Sequence, residues 1–207
     1  MKTPETFSGQ LSKYTDTTVY NYGISGGSPK EALYLLRYYL NLKSIKNPEY
    51  VIFTYIEDQI NRINQYGWVI DNEEMPVFIK KSDNTLEYNN KRKKIYKSKT
   101  FLYLNHVYSE HQSVKCKDLL NLYFTEINKE IKKNFPDCKF VILVYTETGI
   151  EDWEPLKKEN IEIIHLKDLA DINPNDAEYC ISKEDVHPNA KVWEKIVPPL
   201  AKKLNLK

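Results

Sequence analysis

Residues 50–56 (YVIFTYI) and 139–145 (KFVILVY) are almost continuously apolar, the pattern of strands buried on both faces of a parallel sheet. Residues 161–166 (IEIIHL) predict a third strand, and the β-branched and aromatic run 17–22 (TTVYNY) predicts a fourth. Between these runs the apolar positions return at helical spacing. Leu33, Leu36 and Leu40 share one face of a helix expected over 29–42, with Ser28 as its cap and Pro29 at its first position. Further helices are expected over 57–65, 99–112 and 114–134, and over 188–204 with an interruption or kink at Pro198 and Pro199. Residues 76–88 (PVFIKKSDNTLEY) read as a hairpin turning at Ser82, Asp83 and Asn84.

Strands alternating with helices imply an α/β domain, a parallel sheet built by right-handed crossovers with helices on both faces. The pattern breaks at 67–99, read as an insertion on the carboxyl edge of the sheet, where open α/β sheets place their ligands. The 207 residues are read as one domain. A chain of this length buries roughly 70% of the surface its unfolded form exposes, so disulfides are not required. Hydrophobic residues at 41% and charged residues at 29% exclude a disordered chain.

Thirty basic residues against twenty-nine acidic ones leave a net charge of +1, which argues against a polyanion binder acting through overall charge. The basic run 91–99 (KRKKIYKSK) is the one segment that would suit nucleic acid, and in a neutral chain it reads first as a solvated loop, so no nucleic-acid partner is expected. No apolar run is long enough to span a membrane. Residues 1–12 hold no apolar signal core, which makes cytoplasmic the default compartment unless upstream sequence changes it. Cys116, Cys138 and Cys180 have no metal-type spacing and read as reduced, mostly buried thiols. No cofactor is implied.

Several segments carry candidate chemistry. Asp185 stands two residues before His187, just ahead of the final helix, a pattern that suits a general base held by a carboxylate partner. Gly23-Ile24-Ser25-Gly26-Gly27 fits G-x-S-x-G between a strand and a helix, which makes Ser25 an alternative nucleophile of the elbow type. Against it, that elbow follows the first strand in the sequence, whereas an α/β-hydrolase needs several strands before it. Glu57, Asp58 and Gln59 follow a buried strand and would line the ligand edge; their plain reading is negative charge at a helix start. His106 and Glu110 have i,i+4 spacing, with His111 beside them, but no third metal ligand. His165 reads as a satisfied group within a strand.

Taken together, three segments resemble the SGNH hydrolase superfamily, the GDSL family of esterases and lipases. Residues 19–36 (VYNYGISGGSPKEALYLL) are similar to the family's second block, where Gly26 matches the glycine whose N–H helps form the oxyanion hole. Residues 50–62 (YVIFTYIEDQINR) resemble the third block, and 185–200 (DVHPNAKVWEKIVPPL) the last, where His187 matches the general base and Asp185 its acid partner. The resemblance implies a flavodoxin-like three-layer α/β/α fold and hydrolysis of acyl or acetyl esters, with a small-molecule, carbohydrate or lipid ester as substrate.

Two departures accompany it. The family's first block ends in the nucleophilic serine, and residues 1–16 contain only TFSGQL (6–11), which resembles the segment after that serine. The first strand is therefore expected to be missing, leaving a truncated and inactive copy, or a binding or assembly module on the same fold. An exposed sheet edge would then favour self-association. The second departure is Glu57, where the family commonly has an Asn donor. An ionised carboxylate cannot donate to an oxyanion and would repel it.

Overall fold

The computed structural model describes residues 5–24, 26–63, 76, 78–89, 113–149, 151–182 and 187–206. The chain is a mixed α/β protein with a three-stranded parallel sheet. The strands are β1 (Tyr50–Tyr55), β4 (Lys139–Val144) and β5 (Glu162–His165), in the order β1-β4-β5. A separate antiparallel hairpin pairs β2 (Phe78–Lys80) with β3 (Leu86–Tyr88), in the register Phe78 to Tyr88 and Lys80 to Leu86. Its turn is where the sequence puts it: Asn84 is left-handed at φ 59°, and Asp83 accepts from the Thr85 N–H at 3.0 Å.

Residues 17–22 do not form the fourth strand. They lie outside any sheet with no regular secondary structure, and Tyr20 and Tyr22 are exposed and stacked on each other at 6.2 Å. β-branched and aromatic residues favour extended backbone, but a strand also needs a ladder partner and a face to bury, and this segment has neither among the described residues.

The helix expected over 29–42 is shorter and changes pitch. It begins as α2 (Pro29–Tyr34) under a full capping box, in which the Ser28 N–H donates to Glu31 Oε2 at 2.8 Å and Ser28 Oγ accepts from the Lys30 N–H. It then widens into a π turn over Leu35–Tyr39. The wider turn carries Leu36 and Leu40 off the buried face, so Leu33 alone of the three is fully buried. The expected helix 99–112 and the basic run 91–99 lie outside the described residues.

Contacts divide the chain into two compact units. The larger comprises Ile24–Leu143 and Glu147–Ile163. It contains α3 (Asp58–Ile63), the long α4 (Ser113–Asn134) and α5 (Glu154–Lys158). α2 and α3 both pack on α4. Phe124 of α4 is the hub of its core, with Phe53, Tyr55, Phe140 and Trp153 ring centroids 5.2–6.5 Å away. Arg37 bonds Glu130 at 2.9 Å and the Leu86 carbonyl at 2.7 Å, tying the π turn to α4 and the hairpin.

The smaller unit comprises Met1–Gly23, Val144–Thr146 and Ile164–Lys207. α1 (Phe7–Leu11) packs on α6 (Ala190–Lys203), with Phe7 against Trp193 at 5.4 Å and Tyr145 against Trp193 at 5.8 Å. α6 runs through Pro198 and Pro199 without the expected interruption. The carbonyls that those prolines leave without an N–H belong to Glu194 and Lys195, which are exposed to water. The opposite face buries Val192, Trp193, Ile196, Val197, Leu200 and Ala201, and that burial keeps the helix whole. Cys138 and Cys180 are free and buried.

Candidate functional site

The glycine turn ahead of α2 is built from backbone and then locked by side chains. The Gly27 N–H donates to the Ile24 carbonyl at 2.9 Å, and Gly26 sits at φ 69°, a conformation that favours glycine. A Cβ on Gly27 would stand 2.9 Å from the Ile24 carbonyl oxygen, so the close turn excludes a side chain there. Two side chains of α3 then reach the Gly27 carbonyl, Gln59 through Nε2 at 3.4 Å and Arg62 through Nη1 at 3.3 Å.

Gln59 is buried, and its amide also spans the end of β1. It donates to the Thr54 carbonyl at 3.4 Å, and its Oε1 accepts from the Ile56 N–H at 3.4 Å. Arg62 is held by Asp58 one helical turn earlier, with Nε to Oδ2 at 2.8 Å. The Arg62 carbonyl accepts from Lys30 Nζ at 3.4 Å. Lys30 is only 1% exposed, and burial lowers its pKa against the opposing pull of Glu31, whose carboxylate lies 3.5 Å away.

A second network closes the carboxyl end of β1. The Tyr55 hydroxyl donates to Glu151 Oε1 at 2.7 Å. Glu151 also accepts from the Thr148 N–H at 3.1 Å, the Thr148 hydroxyl at 2.9 Å and the Gly149 N–H at 2.9 Å. Burial alone would raise the Glu151 carboxyl; the Thr148 N–H, Tyr55 and the other donors outweigh it and hold the group below its ordinary value. Burial raises the pKa of Tyr55, and the hydrogen bond to Glu151 and the charges of Glu151, Glu147 and Glu57 raise it further, so its hydroxyl stays a neutral donor. The loop is completed by Trp153 Nε1 donating to Glu147 at 3.0 Å.

In the smaller unit His187 stands on a pinned loop. The Ile181 N–H donates to the His187 carbonyl at 3.0 Å, the Asn189 N–H to the Tyr179 carbonyl at 2.9 Å, and Cys180 pairs with Pro188 as an antiparallel bridge. Asn189 does three jobs. Its Oδ1 accepts from the Lys191 N–H at 2.9 Å as the cap of α6, and its Nδ2 donates at 2.8 Å to each of the Glu178 and Cys180 carbonyls. The backbone of His187 is thus fixed while its side chain is exposed.

Of the residues singled out from sequence, Gly26 and Gln59 come together at one turn, with Asp58 joined to it through Arg62. Glu57 is exposed just past the end of β1. His165 ends β5 and is half-buried. Ser25, Asp185, His106, Glu110 and His111 lie outside the described residues. Arg62, Glu151 and Tyr55 were not anticipated. The i,i+4 spacing of Asp58 and Arg62 is a visible signal for the first, whereas Glu151 and Tyr55 lie far apart in sequence. A cleft of about 480 Å³ between 47–50 and 134–139 sits at the amino ends of β1 and β4, the opposite end of those strands from Tyr55 and Glu57. Among the described residues no group of three His, Cys, Asp or Glu side chains is placed to hold a metal ion, and no helix is long and apolar enough to cross a membrane.

These features define the class: a mixed α/β protein with a parallel sheet and a clamped glycine turn ahead of a capped helix. No family model, curated protein or solved structure matches the chain.

Proposed function

We propose that this chain carries the acid–base and oxyanion parts of an SGNH-type ester hydrolase, on a flavodoxin-like α/β fold, with acyl or acetyl esters as substrates. The observation that carries the reading is the glycine turn. A left-handed Gly26 on a turn closed by Gly27, just before a capped helix, is the kind of backbone that presents an N–H to developing negative charge. His187 serves as general base, with Asp185 orienting its imidazole and stabilising the imidazolium. Gly26 N–H holds the tetrahedral oxyanion. The family's own nucleophile block has no counterpart in residues 1–16, so Ser25 of the G-x-S-x-G segment stands as the alternative nucleophile.

The test is a fluorophosphonate probe on the folded chain, with the adduct mapped by mass spectrometry, alongside hydrolysis of p-nitrophenyl acetate. With Ser25 as nucleophile, an adduct at Ser25 is expected, with turnover that falls by several orders of magnitude in His187→Ala. Folded protein with neither adduct nor turnover overturns Ser25 as nucleophile and the hydrolase activity, and leaves an inactive copy or a binding module on the same fold.

One observation favours a second reading. Glu57, exposed at the end of β1, brings an acceptor where SGNH-type chemistry wants a donor. A binding module on the same fold would keep the clamped turn and bind an ester or glycan without hydrolysing it.

A further inference from the structure

We propose that Gln59 and Arg62 are positioning residues that fix the Gly26–Gly27 turn; its role for an oxyanion rests on the hydrolase reading, while the positioning itself does not. A glycine-rich turn is the most conformationally free kind of backbone, and an oxyanion donor works only if its direction is set before the charge develops. In this turn the Gly27 N–H is taken by the Ile24 carbonyl, and the Gly27 carbonyl accepts from two donors at once, Gln59 Nε2 at 3.4 Å and Arg62 Nη1 at 3.3 Å. The peptide planes on both sides of Gly27 are therefore held, which anchors Gly26 from its carboxyl side.

The donors are themselves held. Gln59 is bonded at both ends of its amide to the end of β1, and Arg62 is bonded to Asp58. The strap is reciprocal: α3 sends a guanidinium to the turn, and the buried ammonium of Lys30 on α2 comes back to the Arg62 carbonyl at 3.4 Å. A guanidinium carries its charge at every working pH, so its bond to the Gly27 carbonyl stays charge-assisted while Asp58 balances the charge itself. A merely space-filling residue at position 62 would need neither the charge nor the bond to Asp58.

The experiment compares the full chain with Arg62→Leu, Arg62→Lys and Gln59→Leu by NMR amide exchange and by ester kinetics. Loss of the charge-assisted bond should speed exchange of the Gly27 amide roughly ten-fold in Arg62→Leu, with α4 amides unchanged and partial rescue in Arg62→Lys. Gln59→Leu should act in the same direction. With p-nitrophenyl acetate, kcat should fall in Arg62→Leu while KM stays the same. Unchanged Gly27 exchange in both leucine variants overturns the positioning role. Faster exchange with kcat unmoved overturns its link to the oxyanion. Faster exchange in a chain whose unsubstituted form shows no turnover and no probe adduct sinks the hydrolase reading and leaves the positioning intact.

Discussion

The glycine turn and the His187 loop are both irregular backbone leading into a helix, yet they are held in opposite ways. The turn is locked from a distance: the side chains on the Gly27 carbonyl come from 32 and 35 residues further along the chain. The His187 loop is locked locally. Asn189 bonds carbonyls 9 and 11 residues away and caps its own helix. The first arrangement depends on α3 being docked beside α2, and the second rests on backbone bonds between nearby residues and on one side chain. Regions of the first kind respond to changes across the core, whereas regions of the second kind respond to a single local substitution.

Asn189→Ala gives the largest test of that contrast. It removes the α6 cap and both carbonyl bonds, and should cost about 2–3 kcal/mol in urea unfolding. The His187 loop should lose exchange protection at Ile181, with Gly27 unaffected. Loss of protection at Gly27 as well would break the comparison.

Gly26→Ala places a Cβ at φ 69° and should cost about 1–2 kcal/mol by the same measurement. A cost near zero would mean that the turn relaxes freely, against a clamped structure.

Glu151→Gln sharpens the comparison through pH. The Glu151 carboxyl is held below its ordinary value in the folded chain, so its contribution to stability is present above the unfolded-state value and is lost as pH falls through the folded value. Stability of the unsubstituted chain should therefore fall through the acid side of the carboxylate range, and Glu151→Gln should flatten that part of the profile. Identical profiles would remove Glu151 as the anchor of the β1 end.

His187→Ala should have the smallest effect on stability, within about 0.5 kcal/mol, because the side chain is exposed and the loop is held through backbone and Asn189. A larger loss would show that the imidazole helps to hold the loop.

Legibility followed the same division. β1, β4 and β5 were visible as apolar runs, but only β4, between the other two, is buried along its length; β1 and β5 stand at the ends of the strand order and are mostly half-buried. The hairpin was visible because Asp83 and Asn84 have the turn chemistry it needs. The cap at Ser28 was visible because its partners are close in sequence. Residues 17–22 misled because β-propensity describes what a backbone tolerates, whereas a strand needs a neighbour. The helix after Pro29 misled because its leucine spacing assumed a constant pitch, and the π turn at Leu35–Tyr39 rotated the later leucines away.

The sequence by itself determined the α/β character, the apolar strands, the glycine turn and the capped start of α2, since each depends on local patterning or on partners a few residues apart. Only the tertiary structure decided that Gln59 and Arg62 converge on the Gly27 carbonyl, that Tyr55 closes onto Glu151 96 residues away, and that 17–22 stays outside the sheet. The physical reason is that hydrogen bonds between distant residues follow from how helices and strands dock, and docking is set by the shape of a core such as that around Phe124, which no local pattern encodes.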